Sequence, residues 1–260
     1  MLYGPPGEGK TTVAAHAPKP LFTHTSDEQG IKFALSKKVV PADLSEWLVE
    51  LDPLFPTGEI PEKVGHPGWI KLINTMRLFE KGEHDRRTLV IDSLSGLEAL
   101  TLQHCASVLF KGDMVSQDGF MNFYAGHRKT AEEFWRQEFM VLASGIVAKG
   151  YNIILLAHST LQNIPNPSGQ DYQIYSPDLD KRIWNETKKT LQGIFFMGRS
   201  QSLKKDDKRR TKVTAEHRFI GVSRDTWFEA KNWFNSSEPV EVGNTPKETW
   251  ENLNRLIGLK

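Results

Sequence analysis

Residues Gly4-Pro5-Pro6-Gly7-Glu8-Gly9-Lys10-Thr11 fill every fixed position of the pattern G-x-x-x-x-G-K-[ST], and no other stretch constrains the fold as tightly. Glycines at these places let the backbone curl until successive N–H groups point inward, which makes a cradle for an anion. The loop works only between a strand that delivers it and a helix that begins at its lysine. Leu2-Tyr3 can end such a strand, and Thr12-Val13-Ala14-Ala15-His16 can carry such a helix until Pro18 stops it. The chemistry implied is binding of ATP with Mg²⁺ along Gly4–Thr12. Backbone N–H groups and the helix start meet the phosphates, Lys10 reaches the β- and γ-phosphates, and the Thr11 hydroxyl ligates the metal. Only three residues precede Gly4, so the first strand is a stub or the natural chain starts further upstream.

Downstream, apolar strands alternate with helices. Leu21–Thr25 reads as a second strand, and residues 26–65, rich in Pro, Gly and acids, leave room for a short helix near Leu44–Leu51. Trp69, Leu72, Ile73, Met76 and Phe79 share one helical face that Gly82 ends. Thr88-Leu89-Val90-Ile91-Asp92 is a short apolar run closed by an acid, as suits a buried parallel strand, and a helix over Leu94–Phe110 follows. Residues 111–127 read as a loop. A long helix over about Arg128–Lys149 buries Phe134, Trp135, Phe139, Leu142 and Ile146, with Gly150 as its stop. Asn152–His158 reads as another buried strand, 159–177 as a polar loop, Pro177–Thr190 as a helix and Ile194–Met197 as a strand. Beyond Gly198 the pattern turns antiparallel, with strands over Lys212–Val222 and Thr226–Trp233. Thr245-Pro246-Lys247-Glu248 then opens a terminal helix reaching Ile257. The expectation is one α/β domain over residues 1–260. It has a mainly parallel sheet flanked by helices over about 1–198 and an antiparallel extension over about 199–260.

Composition narrows the function classes. A net charge of +1 gives no global field for nucleic acid or membrane, so any nucleic-acid contact rests on local patches. Cys105 is the single cysteine, which excludes an internal disulfide and a cysteine zinc site and points to a reducing cytoplasm. No apolar run is long enough for a membrane span, and the start of the chain lacks the character of a signal peptide.

Asp92, ending a buried strand at the ligand edge of such a sheet, is the expected second carboxylate of the magnesium site, acting through a water. ATPases of the AAA+ type place a catalytic glutamate directly after that acid. Here Ser93 stands there, so the water-orienting acid comes from elsewhere. Leu89–Leu97, the phosphate loop, the Leu21–Gly30 strand and turn, and Ile153–His158 together resemble the RecA class of P-loop NTPases. Within that class they are most similar to phage RecA-like nucleotide-binding proteins, the Sak-type single-strand annealing ATPases.

The resemblance implies a RecA-like core, ATP hydrolysis, a ring or filament of identical subunits, and single-stranded DNA as partner in a bacterial or phage-infected cytoplasm. It assigns the catalytic acid to the turn after the second strand, where Glu28 stands and Asp27 competes. It makes His158 a sensor of the γ-phosphate, the alternative being a strand-end cap. It compares Glu229-Ala230-Lys231-Asn232-Trp233 with a Lys-x-Arg element acting across a subunit interface. Lys231 fills the first place, but Trp233 replaces the arginine, so an ordinary surface lysine is the other reading. It aims two loops at DNA. The first has Lys111, Asn122, Tyr124, His127 and Arg128 with Phe120 and Phe123 nearby. The second has Gln162, Asn163, Asn166, Gln170, Tyr172 and Tyr175. Lys204–Lys212 is either a phosphate-contacting finger or a solvated turn. Two rival functions remain open: a small-molecule kinase, which needs a lid with arginines, and a non-hydrolysing nucleotide switch that recruits protein partners.

Overall fold

The computed structural model describes residues 1–56, 59–166, 169–205 and 211–259. Ten strands join one sheet in the order β10-β8-β7-β1-β5-β4-β2-β3, with β6 beside β5 and β9 beside β7. The strands are β1 (Leu2–Gly4), β2 (Pro20–His24), β3 (Leu48–Glu50), β4 (Thr88–Asp92), β5 (Asn152–Ile164), β6 (Tyr172–Pro177), β7 (Gly193–Lys205), β8 (Thr211–Gly221), β9 (Lys231–Asn232) and β10 (Val240–Glu241). The run β7-β1-β5-β4-β2-β3 is parallel. β6, β8, β9 and β10 pair antiparallel. This is the expected α/β class: a mostly parallel mixed sheet flanked by helices.

Period-two alternation splits the core between the two faces. On β4, Leu89 and Ile91 join the layer formed with α3 (Pro67–Lys81) and α4 (Leu94–Phe110), while Val90 joins the layer under α1 (Lys10–Ala14), α2 (Gly30–Ser36) and the terminal helix α8 (Pro246–Ile257). All five residues of β4 are buried, its apolar Leu89-Val90-Ile91 flanked by Thr88 and Asp92, as suits a strand covered on both faces. α3 shows how local chemistry sets an element. The His66 side chain accepts from Gly68 N, Pro67 takes a first-turn place, five apolar residues face the core, and Gly82 at φ 77° ends the helix. At the far end of the chain, Thr245 accepts from Glu248 N at 3.1 Å to start α8.

Several sequence expectations need correction. Residues 159–177 are not a loop: β5 runs on past the sheet edge to Ile164 and folds back as β6, a hairpin arm. Polar side chains mislead there because the tip of the arm is exposed, while Ile174 and Ser176 of β6 are buried and Tyr175 stacks on Phe196. The Leu44–Leu51 helix is a 3₁₀ turn over Ala42–Trp47 followed by β3. The helix read from Pro177 starts at Lys181 instead (α7, Lys181–Thr190), because Pro177 closes β6 and Asp180 caps α7 by accepting from Arg182 N. The long helix begins earlier, as α5 (Ala125–Lys129), passes through a π-helical stretch over Thr130–Met140 and ends as α6 (Val141–Ala148). Antiparallel pairing does occupy the last third, but β7 serves both halves, parallel to β1 and antiparallel to β8. The strand read over Thr226–Trp233 shrinks to Lys231–Asn232. Of the basic run Lys204–Lys212, residues 206–210 lie outside the described residues.

Candidate phosphate-binding site

The C-terminal ends of β1, β2 and β4 meet at one edge of the sheet. β5 lies between β1 and β4, with His158 in register with Gly4. Sequence positions far apart therefore converge at this edge. Gly4 sits so close to β7 that a Cβ would collide with the Met197 carbonyl. Gly7 and Gly9 hold φ of 82° and 91°, a left-handed backbone that glycine adopts at no steric cost, and nothing lies within 4 Å of a Cβ built on Gly7.

Its side chains are pre-positioned. The Lys10 ammonium donates to the carbonyls of Gly4 and Pro5, both at 2.9 Å. Thr12 Oγ1 donates to Gly9 O at 2.9 Å and ties the first turn of α1 to the loop. Thr11 Oγ1 donates to Asp92 Oδ2 at 2.7 Å. Asp92 is 5% exposed, and burial lifts its pKa to about 6 against the Thr11 hydrogen bond. Burial lowers the Lys10 pKa, opposed by the carboxylates of Asp92, Glu28 and Glu8.

Next to this pair, Glu28 Oε1 and His158 Nε2 lie 2.6 Å apart. Their bond holds the Glu28 carboxyl below the usual carboxylate range, with Ser93 and Lys10 adding to the effect, and it raises the His158 pKa. The other ring nitrogen of His158, Nδ1, is buried without a protein partner. Asp27, the competitor of Glu28, is exposed. Its neighbour's half-buried carboxylate is the one turned toward the loop.

The donor set suits the group that the motif implies. A hydroxyl and a desolvated carboxylate in contact are hard oxygen ligands for Mg²⁺, which keeps most of its other places for water and phosphate. No cluster of three or more His, Cys, Asp or Glu that could hold a metal alone occurs among the described residues.

Other sequence-derived residues fall elsewhere. Lys231 lies on β9, beside the N-terminal end of β7 and away from the loop. Its Nζ donates to Lys188 O at 3.0 Å and stands 5.1 Å from the Trp233 ring centre. Phe120 is fully buried against Phe110 and His127 and is unavailable for stacking. Phe123 and Tyr124 are 87% and 60% exposed, both with positive φ, and the Arg182 guanidinium lies 5.3 Å from the Tyr124 ring centre. No helix among the described residues is long and apolar enough to cross a membrane.

Sequence reasoning missed Arg199 and Arg218. Both bond to Glu8, 191 and 210 positions away along the chain. The available signal was Glu8 itself, an acid in a loop built for anions.

Comparison with known proteins adds one finding. A family described as AAA domain matches residues 1–234. No curated protein matches the chain.

Proposed function

The chain belongs to the AAA domain family, and from that premise we propose that it binds and hydrolyses Mg·ATP and uses the cycle to act on single-stranded DNA, in annealing or recombination, as a RecA-like oligomer. The observation that carries the nucleotide part is the convergence at one sheet edge of Lys10, the Thr11–Asp92 pair and the Glu28–His158 pair.

In this reading Lys10 exchanges the Gly4 and Pro5 carbonyls for β- and γ-phosphate oxygens. Thr11 and Asp92 hold the metal, which when bound neutralises charge on the phosphates. Glu28, kept ionised by His158, orients the attacking water and accepts its proton. His158 connects Glu28 to the β5–β6 arm, since β5 continues unbroken from His158 to Ile164. A family description of AAA type does not by itself supply the acid, because Ser93 follows Asp92. Glu28 is the carboxylate whose position fits the role.

The DNA part rests on local chemistry. Exposed Phe123 and Tyr124 beside Arg182 and Arg128 suit base stacking, and Lys204–Lys212 suits phosphate contacts. Lys231 is kept as a residue acting across a subunit interface. A second reading is a nucleotide switch that recruits proteins, which gains ground if Glu28 is not catalytic.

One experiment separates them: ATP turnover with and without single-stranded DNA, alongside mass by light scattering. DNA-stimulated turnover by an oligomer is expected. Tight ATP binding with no turnover selects the switch, and absence of DNA binding at low salt removes the recombination reading. Where DNA binds, Phe123→Ala with Tyr124→Ala costs about 1–3 kcal/mol per stacked base with little change in salt dependence. Changing Lys208, Arg209 and Arg210 to Ser flattens the log–log salt slope by roughly 0.7 per lost contact.

A further inference from the structure

β7 and β8 place Arg199 and Arg218 directly opposite each other. Like charges in that relation repel, so the pair needs an anion. Glu216 supplies part of it, 3.0 Å from Arg199 Nη1. The rest comes from the phosphate loop. Arg199 Nε donates to both carboxylate oxygens of Glu8, at 2.9 and 3.2 Å. Arg218 Nε stands 3.5 Å from Glu8 Oε2, and Arg218 Nη2 donates to the Glu8 carbonyl.

The Glu8 side chain is 9% exposed, against 42% and 40% for the two guanidiniums. A desolvated carboxylate therefore sits within a loop whose task is to receive polyanions. Its sign is wrong for that task, and its charge is felt at the Lys10 ammonium. The motif leaves this place free, so phosphate binding itself makes no demand for an acid there.

We propose that Arg199 and Arg218 are positioning residues for nucleotide binding. They cancel the Glu8 carboxylate and, through it, pin the crest of the phosphate loop against the β7–β8 arm, so that a triphosphate meets a cradle without net repulsion. The loop and the arm are then one unit, because Glu8 of the loop holds the arm that leads into the basic run Lys204–Lys212. The inference rests on the nucleotide reading above.

The test is a mutational cycle read by calorimetric titration with Mg·ATP and Mg·ADP, with melting temperature as the check on folding. Arg199→Gln with Arg218→Gln leaves Glu8 uncompensated and is expected to weaken Mg·ATP binding about tenfold, and Mg·ADP less, because repulsion scales with phosphate charge. Adding Glu8→Gln to that pair restores affinity to within about twofold of wild type. A loss that persists in the triple variant overturns the proposal, since the arginines then act on the nucleotide or on the arm directly. If the glutamine pair does not fold, Arg199→Gln and Arg218→Gln are measured singly; each leaves one guanidinium on Glu8 and is expected to weaken Mg·ATP binding about threefold, whereas unchanged affinity in both overturns charge cancellation. Wild-type protein that does not bind Mg·ATP overturns the nucleotide reading. Normal wild-type binding with an unaffected glutamine pair overturns this inference alone.

Discussion

Two clusters of ionisable groups carry the same burial penalty on charge and meet it in different ways. Between α3 and α4, His66 and His104 are both buried, and the His66 backbone N–H donates to His104 Nδ1 at 3.0 Å. His66 Nδ1 caps α3, and Trp69 and Phe134 pack on the His104 ring. Burial lowers both pKa values, His104 to about 4, so each ring stays neutral and its bonding nitrogen is used by the fold. At the sheet edge, buried Lys10 and Asp92 lie beside half-buried Glu28 and His158, which each favour the other's charged form. Asp92 resists ionisation, and His158 Nδ1 is left without a partner. The first cluster also leaves one buried ring nitrogen, His66 Nε2, without a partner, but it holds no charge. The second holds charge at a cost that the proposed cation and phosphates would offset, which is how a structural polar site differs from a receptive one.

The comparison breaks most directly at Lys10. Lys10→Ala should cut ATP turnover by about a hundredfold or more while leaving the melting curve near that of wild type, because its ammonium serves the ligand rather than the core. Normal turnover by the folded variant would show that the edge cluster is not the phosphate site.

Glu28→Gln tests the second pair. Binding of ATP should persist while turnover falls about a hundredfold, since an amide cannot take a proton from water. Asp27→Asn is the control and should be near wild type. A reversal of the two moves the acid by one residue.

The helix pair predicts an acid weakness with a definite sign. His104 has a depressed folded pKa, so its contribution to stability is full above about 6.5 and is lost as pH falls toward about 4. The loss is on the order of 3 kcal/mol. Chemical denaturation from pH 7.5 to 4.5 should show it, and His104→Gln should flatten that part of the profile. An unchanged profile would mean that the ring is not buried neutral.

Asp92 carries the opposite sign and a somewhat smaller effect. Its folded pKa is raised to about 6, so its contribution is full below about 3.9 and is lost as pH rises through 6. At pH 7.5 the nucleotide-free Asp92→Asn protein should therefore be more stable by about 3 kcal/mol, yet gain less than wild type from Mg·ATP. Destabilisation by Asp92→Asn would place this carboxylate with the structural cluster instead.

Much of the site was legible before any coordinates. Gly7 and Gly9 reveal themselves because positive φ demands glycine, and Asp92 because an acid closing an apolar run marks a strand end. Glu28 was reachable through the family resemblance and not from its own surroundings, since Thr25–Gly30 reads as an acidic turn. His158 was placed at a strand end, but its contact with a residue 130 positions earlier follows from β5 lying between β1 and β4. Phe120 and Phe123 look alike in sequence, yet one is buried and the other exposed, because the turn at 120–126 points them to opposite sides.

The sequence by itself determined the phosphate loop, the alternation of buried strands and amphipathic helices, the caps of α3 and α8, and the acid at the end of β4. Each depends on dihedral preference, periodicity or capping, which act over a few residues. Tertiary structure alone decided that β5 and β7 outrun the sheet as arms, that Glu28 meets His158, that Lys231 lies away from the loop, and that Glu8 is held by Arg199 and Arg218. Those outcomes depend on strand order and on which charges share a desolvated space. A charged residue carries no local mark of either.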